Sequence, residues 1–229
     1  MDSLVDGYHA VVLGASGGLG AAFATALRAD PRCRKVTALS RSADGLDLTR
    51  EASVAAAAAR LERPADLLLI ATGALEIDGK GPEKALKQLD PAAMAAQFAL
   101  NAIGPALALK HFAPHLPRDR RALVGALSAR VGSIGDNGLG GWTSYRASKA
   151  ALNQILRCAA IELGRTHRHA VVAALHPGTV RTPLTEKHRG GREVLEPADS
   201  AARLLGVLDG LTPSDSGCFR DWQGLEVPW

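Results

Sequence analysis

The chain has 229 residues, of which 47% are hydrophobic, 22% charged and 4% aromatic, and its formal net charge is +4. This composition excludes a disordered chain, and the scarcity of aromatic residues argues against a protein that binds single-stranded nucleic acid by stacking. No apolar run approaches the ~20 residues that a membrane span needs, and the first residues lack the charge pattern and length of a signal peptide.

Cysteine spacing and the distribution of basic residues argue against disulfide-rich, metal-binding and nucleic-acid-binding proteins. The three cysteines, Cys33, Cys158 and Cys218, show no CxxC spacing, so we predict neither a disulfide framework nor a metal site and expect a reducing, cytoplasmic location. The basic excess lies mainly at 118–130 and 165–192. No groove-reading motif accompanies it. We therefore expect a solvated basic surface, or a site for one anionic small molecule, and predict neither a nucleic-acid nor a membrane partner.

Short apolar runs alternate with helical segments along the whole chain. The runs that predict buried strands are residues 8–13, 36–39, 46–48, 67–70, 121–127, 170–175 and, weakly, 218–219. The predicted helices are 19–29, 51–61, 91–112, 144–163 and 197–208. Apolar strands that alternate with helices indicate a parallel sheet covered on both faces. The sequence therefore predicts an α/β fold, a single doubly wound parallel-sheet domain spanning residues 1–229.

The helix predicted at 91–112 contains an interruption with two interpretations. Asp90 is a suitable N-cap and Pro91 is allowed as the first helical residue. Pro105 has no N–H, so the carbonyl of Asn101 loses its usual partner four residues on. The result is either a kink filled by solvent or a functional water site inside the helix.

A glycine-rich segment, GASGGLG at 14–20, follows the first strand and opens directly into a helix. Glycines permit a tight turn and a close backbone approach, while the helix N-terminus offers free N–H groups to a pyrophosphate. No Gly-Lys-Ser/Thr follows, so the segment is not a phosphoryl-transfer loop. The residues that we expect at a bound nucleotide are Gly14, Ser16, Gly17, Gly18, Leu19 and Gly20.

The end of the second strand predicts which nicotinamide cofactor binds. About 20 residues past the glycines, where an acidic residue would hold a ribose 2′-hydroxyl, the sequence has Ser40-Arg41-Ser42. An arginine fork with neighbouring hydroxyls suits a 2′-phosphate. We therefore predict NADP(H) as the cofactor, bound by Ser40 and Arg41; the alternative is that Arg41 is an ordinary surface arginine.

Tyr145 and Lys149 form the predicted catalytic pair. Their spacing of four places both side chains on one face of a helix. An ammonium group beside a phenol favours the phenolate, so we expect Lys149 to lower the pKa of Tyr145.

These motifs together resemble the short-chain dehydrogenase/reductase family over nearly the whole chain. Gly14, Gly18 and Gly20, the Tyr145-xxx-Lys149 pair and the Pro177-Gly178 turn occur in the order of that family. Segments 128–134, 140–142 and 221–229 are most similar to its C-factor-like branch. The resemblance implies a Rossmann-type fold, an oxidoreductase that interconverts a small-molecule carbonyl and alcohol by hydride transfer, and a homodimer or homotetramer.

The resemblance also implies residue roles. Tyr145 would be the general acid in reduction and the general base in oxidation, and Lys149 would hold the nicotinamide ribose. The main-chain carbonyl of Asn101 would hold a water linked to the lysine. Asp47 and Leu48 match the pair at the adenine. The remaining positions matched to cofactor-contacting segments are Ala71, Thr72, Gly73, Pro177, Gly178, Val180 and Thr182.

Two departures from the family bear on activity. The family's Asn-Asn-Ala-Gly is replaced by IATG at 70–73, which keeps backbone contacts to the cofactor and loses side-chain bonds. The position of the active serine is occupied by Ala129, with Ser128 one residue earlier. We predict Ser128 as the catalytic serine if a bent strand end re-aims it; Ser133, or neither serine, are the alternatives.

A loop at about 183–196 closes over substrate in this family, and here its middle is basic and contains Gly190-Gly191. It indicates either an anionic or polar carbonyl substrate or a solvated loop. The departures at 70–73 and 129 also support an alternative function, an NADP(H)-binding signalling or regulatory protein with vestigial activity.

Overall fold

One six-stranded parallel sheet organises the chain in the computed structural model, which describes residues 1–183, 185–186 and 194–229. The strands are β1 (Tyr8–Leu13), β2 (Cys33–Leu39), β3 (Leu67–Ile70), β4 (Ala122–Leu127), β5 (Ala170–His176) and β6 (Cys218–Asp221). Their order is β2-β1-β3-β4-β5-β6, and every neighbouring pair is parallel. The predicted doubly wound α/β fold is confirmed.

Helices cover both faces of this sheet. They are α1 (Gly18–Ala29), α2 (Arg41–Asp44), α3 (Glu51–Ala59), α4 (Pro91–Phe98), α5 (Gly104–Phe112), α6 (Thr143–Leu163) and α7 (Pro197–Gly210). Successive strand residues point to opposite faces, so Val11 and Leu13 pack with α3, α5 and α6, while Ala10 and Val12 pack with α1 and α7. All strand residues of β1 and β3 are buried, as their continuous apolar runs predicted.

The strand predicted at 46–48 does not form, and this prediction is wrong. Leu46 and Leu48 are buried in the core, as their alternation with Asp47 indicated. The chain turns into α3 before it can pair with β2, because Asp47 accepts a hydrogen bond from the Thr49 N–H and donates its own N–H to Ser53 Oγ, both at 2.9 Å. Two buried leucines satisfy the core without a strand ladder.

The predicted helix at 91–112 is divided by a π-helical turn over Ala99–Ile103. It begins as expected, since Asp90 accepts hydrogen bonds from the N–H groups of Ala92 and Ala93. At its centre the Gly104 N–H donates to the carbonyl of Ala99, five residues back. Because Pro105 cannot donate a hydrogen bond, the regular ladder is interrupted here, and the wider turn that replaces it contains Asn101.

The stretch Pro91–His115 is long and apolar enough to cross a membrane by length and composition, with a mean hydropathy of 1.4. Gln97 and Asn101 interrupt the apolar run, so the stretch does not read as a continuous apolar segment in the sequence. In the fold, Asn101 is fully buried in a hydrogen-bonded network and Phe112 is fully buried in the core. We therefore assign the stretch as a core helix of the α/β sheet.

Candidate active site

A cleft of about 420 Å³ lies at the carboxyl ends of the strands, where crossovers on either side of β1 reverse direction. Thirteen of the predicted site residues line it: Ser16, Gly17, Gly18, Leu19, Ala71, Thr72, Gly73, Ser128, Tyr145, Lys149, Pro177, Gly178 and Thr182. The predicted residues that do not line it are Gly14, Gly20, Ser40, Arg41, Asp47, Leu48, Asn101 and Val180. The cleft thus brings the glycine-rich turn and the Tyr145–Lys149 pair together.

The glycines of the glycine-rich turn have two roles: some allow the turn itself, and others leave the start of α1 accessible. Gly14 has a φ of +88°, and a Cβ built on Gly20 would lie 2.1 Å from the Gly14 carbonyl oxygen, so both glycines are needed for the strand-to-helix turn itself. Gly17 is the N-cap of α1 and brings no side-chain capping bond, which leaves the first N–H groups of α1 open towards the cleft. A Cβ on Gly18 would lie 2.7 Å from Thr182 Cγ2, on the opposite wall.

Tyr145 and Lys149 are both buried on one face of α6, as their spacing predicted. Burial raises the pKa of Tyr145 to about 12 and lowers the pKa of Lys149 to about 8. The expected lowering of the Tyr145 pKa is therefore wrong for this arrangement. The pKa of Tyr145 is raised because burial removes water from the phenolate. The Lys149 ammonium donates a hydrogen bond to the Leu127 carbonyl at 3.0 Å instead of to the phenol.

Gly73 and Asn101 connect the strand ends to the catalytic helix. A Cβ on Gly73 would lie 3.0 Å from Asn101 Oδ1 and 3.2 Å from Lys149 Nζ, so glycine is required where the three residues meet. The Asn101 side chain bonds to both backbone groups of Ala74, at 3.0 and 2.9 Å, and donates to Gln97 Oε1 at 2.6 Å. The side chain of Asn101 thus fixes the loop after β3, a role that the sequence did not predict.

The two candidate serines differ in position. Ser128 lines the cleft, but its hydroxyl donates to Asn153 Oδ1 on α6 at 2.5 Å. Ser133 is buried outside the cleft, and its oxygen accepts the Asp136 N–H at 3.0 Å. Asn153, which no local pattern marks, therefore decides where the Ser128 proton points.

The end predicted for the adenosine lies outside the cleft. Ser40 caps α2 by accepting the Ala43 N–H at 3.1 Å, and its own N–H donates to Asp44 Oδ2 at 2.8 Å. Arg41 is exposed. Hydrogen bonds from Thr49 lower the pKa of Asp47, and the positive charge of Arg41 lowers it further. Asp44 was not among the predicted site residues, and its carboxylate accepts a hydrogen bond from the Ser40 N–H. Leu48 is a core residue.

The segment after β5 packs against Trp222 and pairs with Leu195. Gly178 has a φ of +78°, and a Cβ there would lie 2.8 Å from the Trp222 ring. Val180 is buried and pairs with Leu195 in a short parallel bridge, so its side chain belongs to the core. Of the predicted substrate loop at 183–196, residues 184 and 187–193 lie outside the described part of the chain.

Several lining residues were not predicted as site residues. They are Leu75, Leu127, Ala129, Val131, Trp142, His176, Thr179, Pro183 and Thr185, of which Pro183 and Thr185 belong to the predicted substrate loop. Trp142 carries a sequence signal, because two glycines precede it immediately before the helix. His176 directly precedes the predicted Pro177-Gly178 turn, and the others are apolar residues or threonines beside or within predicted segments.

Comparison with known proteins identifies the class. A family model described as "Enoyl-(Acyl carrier protein) reductase" matches residues 14–209. The C-signal protein of Myxococcus xanthus is 40% identical over 146 residues, 63% of this chain and 84% of that protein. The 1-hydroxy-2-glutathionyl-2-methyl-3-butene dehydrogenase of Rhodococcus sp. (strain AD45) is 34% identical over 194 residues, 81% and 79% of the two chains. The chain belongs to the short-chain dehydrogenase/reductase family, as predicted.

Solved structures agree with this assignment. The NADPH-bound carbonyl reductase from chicken fatty liver superimposes with a TM-score of 0.79 at 26% identity, covering 99% of this chain and 100% of that one. A short-chain dehydrogenase/reductase from Burkholderia multivorans with bound NADP gives 0.77 at 27% identity, covering 97% and 99%. Both neighbours contain the phosphorylated nicotinamide cofactor.

Proposed function

We propose that this protein is an NADP(H)-dependent oxidoreductase that interconverts a carbonyl and an alcohol, with Tyr145 as general acid and base. The observation that carries the proposal is that one cleft holds Tyr145 and Lys149 on one wall and the glycine-rich turn on another. The NADPH and NADP in the two solved relatives support the choice of cofactor.

The residues of the cleft fit such a cofactor. The first N–H groups of α1, beginning at Gly18, suit a pyrophosphate, because they combine free donors with the positive end of the helix dipole. The Thr72 hydroxyl oxygen is buried in the cleft wall, and no residue that the structure describes bonds to it. A ligand in the cleft would supply the partner that this hydroxyl lacks. Gly14 and Gly20 allow the turn that holds these groups in place.

The proton chemistry comes from the chain itself, while bound NADPH supplies the hydride. With its pKa raised to about 12, the Tyr145 phenol is neutral at physiological pH and carries the proton that a developing alkoxide needs. Lys149 lies one helical turn away on the same wall and would hold the ribose hydroxyls.

Arg41 is the residue that we propose for the 2′-phosphate. It is exposed at the start of α2, close enough to Asp47 to lower the pKa of that carboxyl group. The one carboxylate of α2, on Asp44, already accepts the Ser40 amide. Arg41 is therefore the exposed cation at this edge that we expect to meet the phosphate, and Ser40 contributes by fixing the turn.

The other predicted cofactor contacts belong to three parts of the cleft. We propose that Ser16 and Leu19 complete the phosphate wall, that Ala71 and Gly73 offer backbone contacts, and that Pro177, Gly178 and Thr182 border the nicotinamide. Asn101 would act through its main chain.

The proposal is tested by mixing the purified protein with NADPH and a panel of aldehydes, ketones and quinones, after NADPH binding has been measured by calorimetry. We expect tight NADPH binding and cofactor oxidation with at least one carbonyl. NADPH binding without turnover on any member of a broad panel would contradict it.

One observation favours a second candidate, an NADP(H)-binding regulatory protein. Ala129 occupies the position of the family's active serine, and the Ser128 hydroxyl proton is directed to Asn153 rather than into the cleft. Substrate would then lack a second hydrogen-bond donor. Turnover by the native protein discriminates the two: its absence would favour regulation, and turnover that Ser128→Ala leaves unchanged would show that Tyr145 suffices.

For assembly we propose a homodimer or homotetramer through the outer faces of α5 and α6. The side chains of Ile103, directly before α5, and of Ile161, on α6, are each 52% exposed there. Light scattering of the native protein and of Ile161→Lys tests this, and an unchanged particle mass in the variant would contradict it.

A further inference from the structure

Trp142 has an unfavourable backbone conformation. Its φ and ψ are 52° and 36°, in the left-handed region, and among the described residues Asp78 is the one other non-glycine residue with positive φ. A bulky side chain is disfavoured there because its Cβ crowds the neighbouring carbonyl. Gly140 and Gly141 directly before it are also left-handed, at +64° and +63°. Glycine would be the favourable residue at position 142 as well.

Hydrogen bonds on both sides hold this conformation. The Trp142 N–H donates to the Glu83 carbonyl at 2.6 Å, and the Trp142 carbonyl accepts the Arg146 N–H at 2.8 Å in the first turn of α6. The Glu83 carboxylate in turn accepts the Ser144 N–H at 2.7 Å and the Ser144 hydroxyl. The loop before α4 is thus fastened to the start of the catalytic helix around Trp142.

The consequence of this conformation is the position of the indole. Trp142 lines the cleft, and its ring lies 6.4 Å from the Tyr145 ring, centroid to centroid, at an interplanar angle of 70°. Residues held in sparsely populated backbone regions cluster at functional sites, where the surrounding structure maintains the strain. Here the strain places a large apolar ring beside the proposed proton donor.

The wall around Trp142 is apolar. Leu75 and Val131 line the same cleft, together with Leu127 and Pro177. Among the lining residues that the structure describes, Lys149 is the one Lys, Arg, Asp or Glu, and its ammonium already donates to a backbone carbonyl. Apart from the catalytic lysine and the His176 ring, the described wall therefore offers an anionic substrate no counter-charge.

We propose that Trp142 is a specificity-determining residue that selects uncharged, ring-bearing aldehydes or ketones, with the substrate ring packed on the indole and the carbonyl at Tyr145. This inference rests on the proposed reductase function. An edge-to-face or offset contact with the indole would favour an aromatic ring over an aliphatic chain of similar size.

The test compares benzaldehyde, hexanal and para-carboxybenzaldehyde in the native protein, Trp142→Gly and Trp142→Phe. Trp142→Gly removes the ring and suits the left-handed backbone, so relief of the backbone strain offsets part of the packing that is lost, and the variant should fold with unchanged NADPH affinity. We expect its kcat/KM for benzaldehyde to fall about tenfold relative to that for hexanal, with partial recovery in Trp142→Phe. Equal losses for both aldehydes, or a native preference for the carboxylated aldehyde, would overturn the proposal.

A binding measurement separates this inference from the proposed function. Benzyl alcohol is titrated calorimetrically into the protein saturated with NADP. Binding to the native protein that Trp142→Gly loses supports the role of Trp142 even if no carbonyl is turned over, in which case the proposed function alone fails. Equal binding to both proteins overturns the role of Trp142.

Discussion

The two ends of the proposed cofactor site are built in different ways. At the catalytic end, Tyr145, Lys149 and Asn101 are buried, and Lys149 and Asn101 are bonded to the backbone of neighbouring strand ends. At the adenosine end, Arg41 is exposed. The buried end is positioned by the protein before any ligand arrives, whereas the exposed end contributes charge. Substitutions at the first should therefore change catalysis and stability, and substitutions at the second should change affinity and its salt dependence.

The largest effect is expected for Tyr145→Phe. Loss of the proton donor should lower kcat about 1,000-fold, because general acid catalysis is the one role that the hydroxyl has in the proposal. NADPH affinity should stay within about twofold in calorimetry, since the ring still fills its buried position. Residual activity above a few per cent would mean that another group donates the proton.

Lys149 should make stability depend on pH. Its pKa is about 8 in the folded protein against a reference value of 10.5, so between these values the unfolded chain binds more protons and stability rises with pH. The burial penalty is fully present below pH 8. It is worth about 3 kcal/mol by the usual conversion of pKa shifts.

Denaturant unfolding of the native protein and of Lys149→Met at several pH values measures this effect. The variant should be the more stable of the two at pH 7, and its advantage should shrink as the pH approaches 10. An advantage that is the same at every pH would contradict the lowered pKa.

Arg41→Ala tests the exposed end. We expect NADPH affinity to fall about 30-fold and NADH affinity to change less than twofold, because only the former carries the 2′-phosphate. The native NADPH affinity should also weaken with salt more steeply than that of the variant. The matched control is Arg60→Ala, another exposed arginine, which should leave both affinities unchanged; equal losses for both cofactors in Arg41→Ala would sink the assignment.

The smallest expected effect concerns the junction of the two ends. Gly73→Ala would place a methyl group 3.0 Å from Asn101 Oδ1 at a backbone φ of +147°, so we expect a lower Tm and about tenfold weaker NADPH binding. Gly206→Ala on α7 meets nothing within 4 Å and should raise the Tm slightly. Equal Tm values for the two variants would show that the junction tolerates the methyl group.

The sequence predicted the features that depend on local spacing, and it could not predict those that depend on contacts between distant residues. The strand at 67–70, the glycine-rich turn and the Tyr145–Lys149 face follow from local spacing, which backbone geometry converts directly into position. The direction of the Ser128 hydroxyl depends on Asn153, 25 residues away. The absent strand at 46–48 results from local bonds that no periodicity records, whereas Pro105 indicates the interruption of the helix in the sequence but not its π-helical form.

The central claim is that the cleft transfers a hydride to a carbonyl. The most direct measurement uses NADPH that carries deuterium on the transferred position of the nicotinamide, with mass spectrometry of the alcohol formed from a carbonyl substrate. The account predicts deuterium at the carbinol carbon with the native protein, and label incorporation about 1,000-fold slower with Tyr145→Phe. Tight NADPH binding without label in any product of the native protein would contradict it.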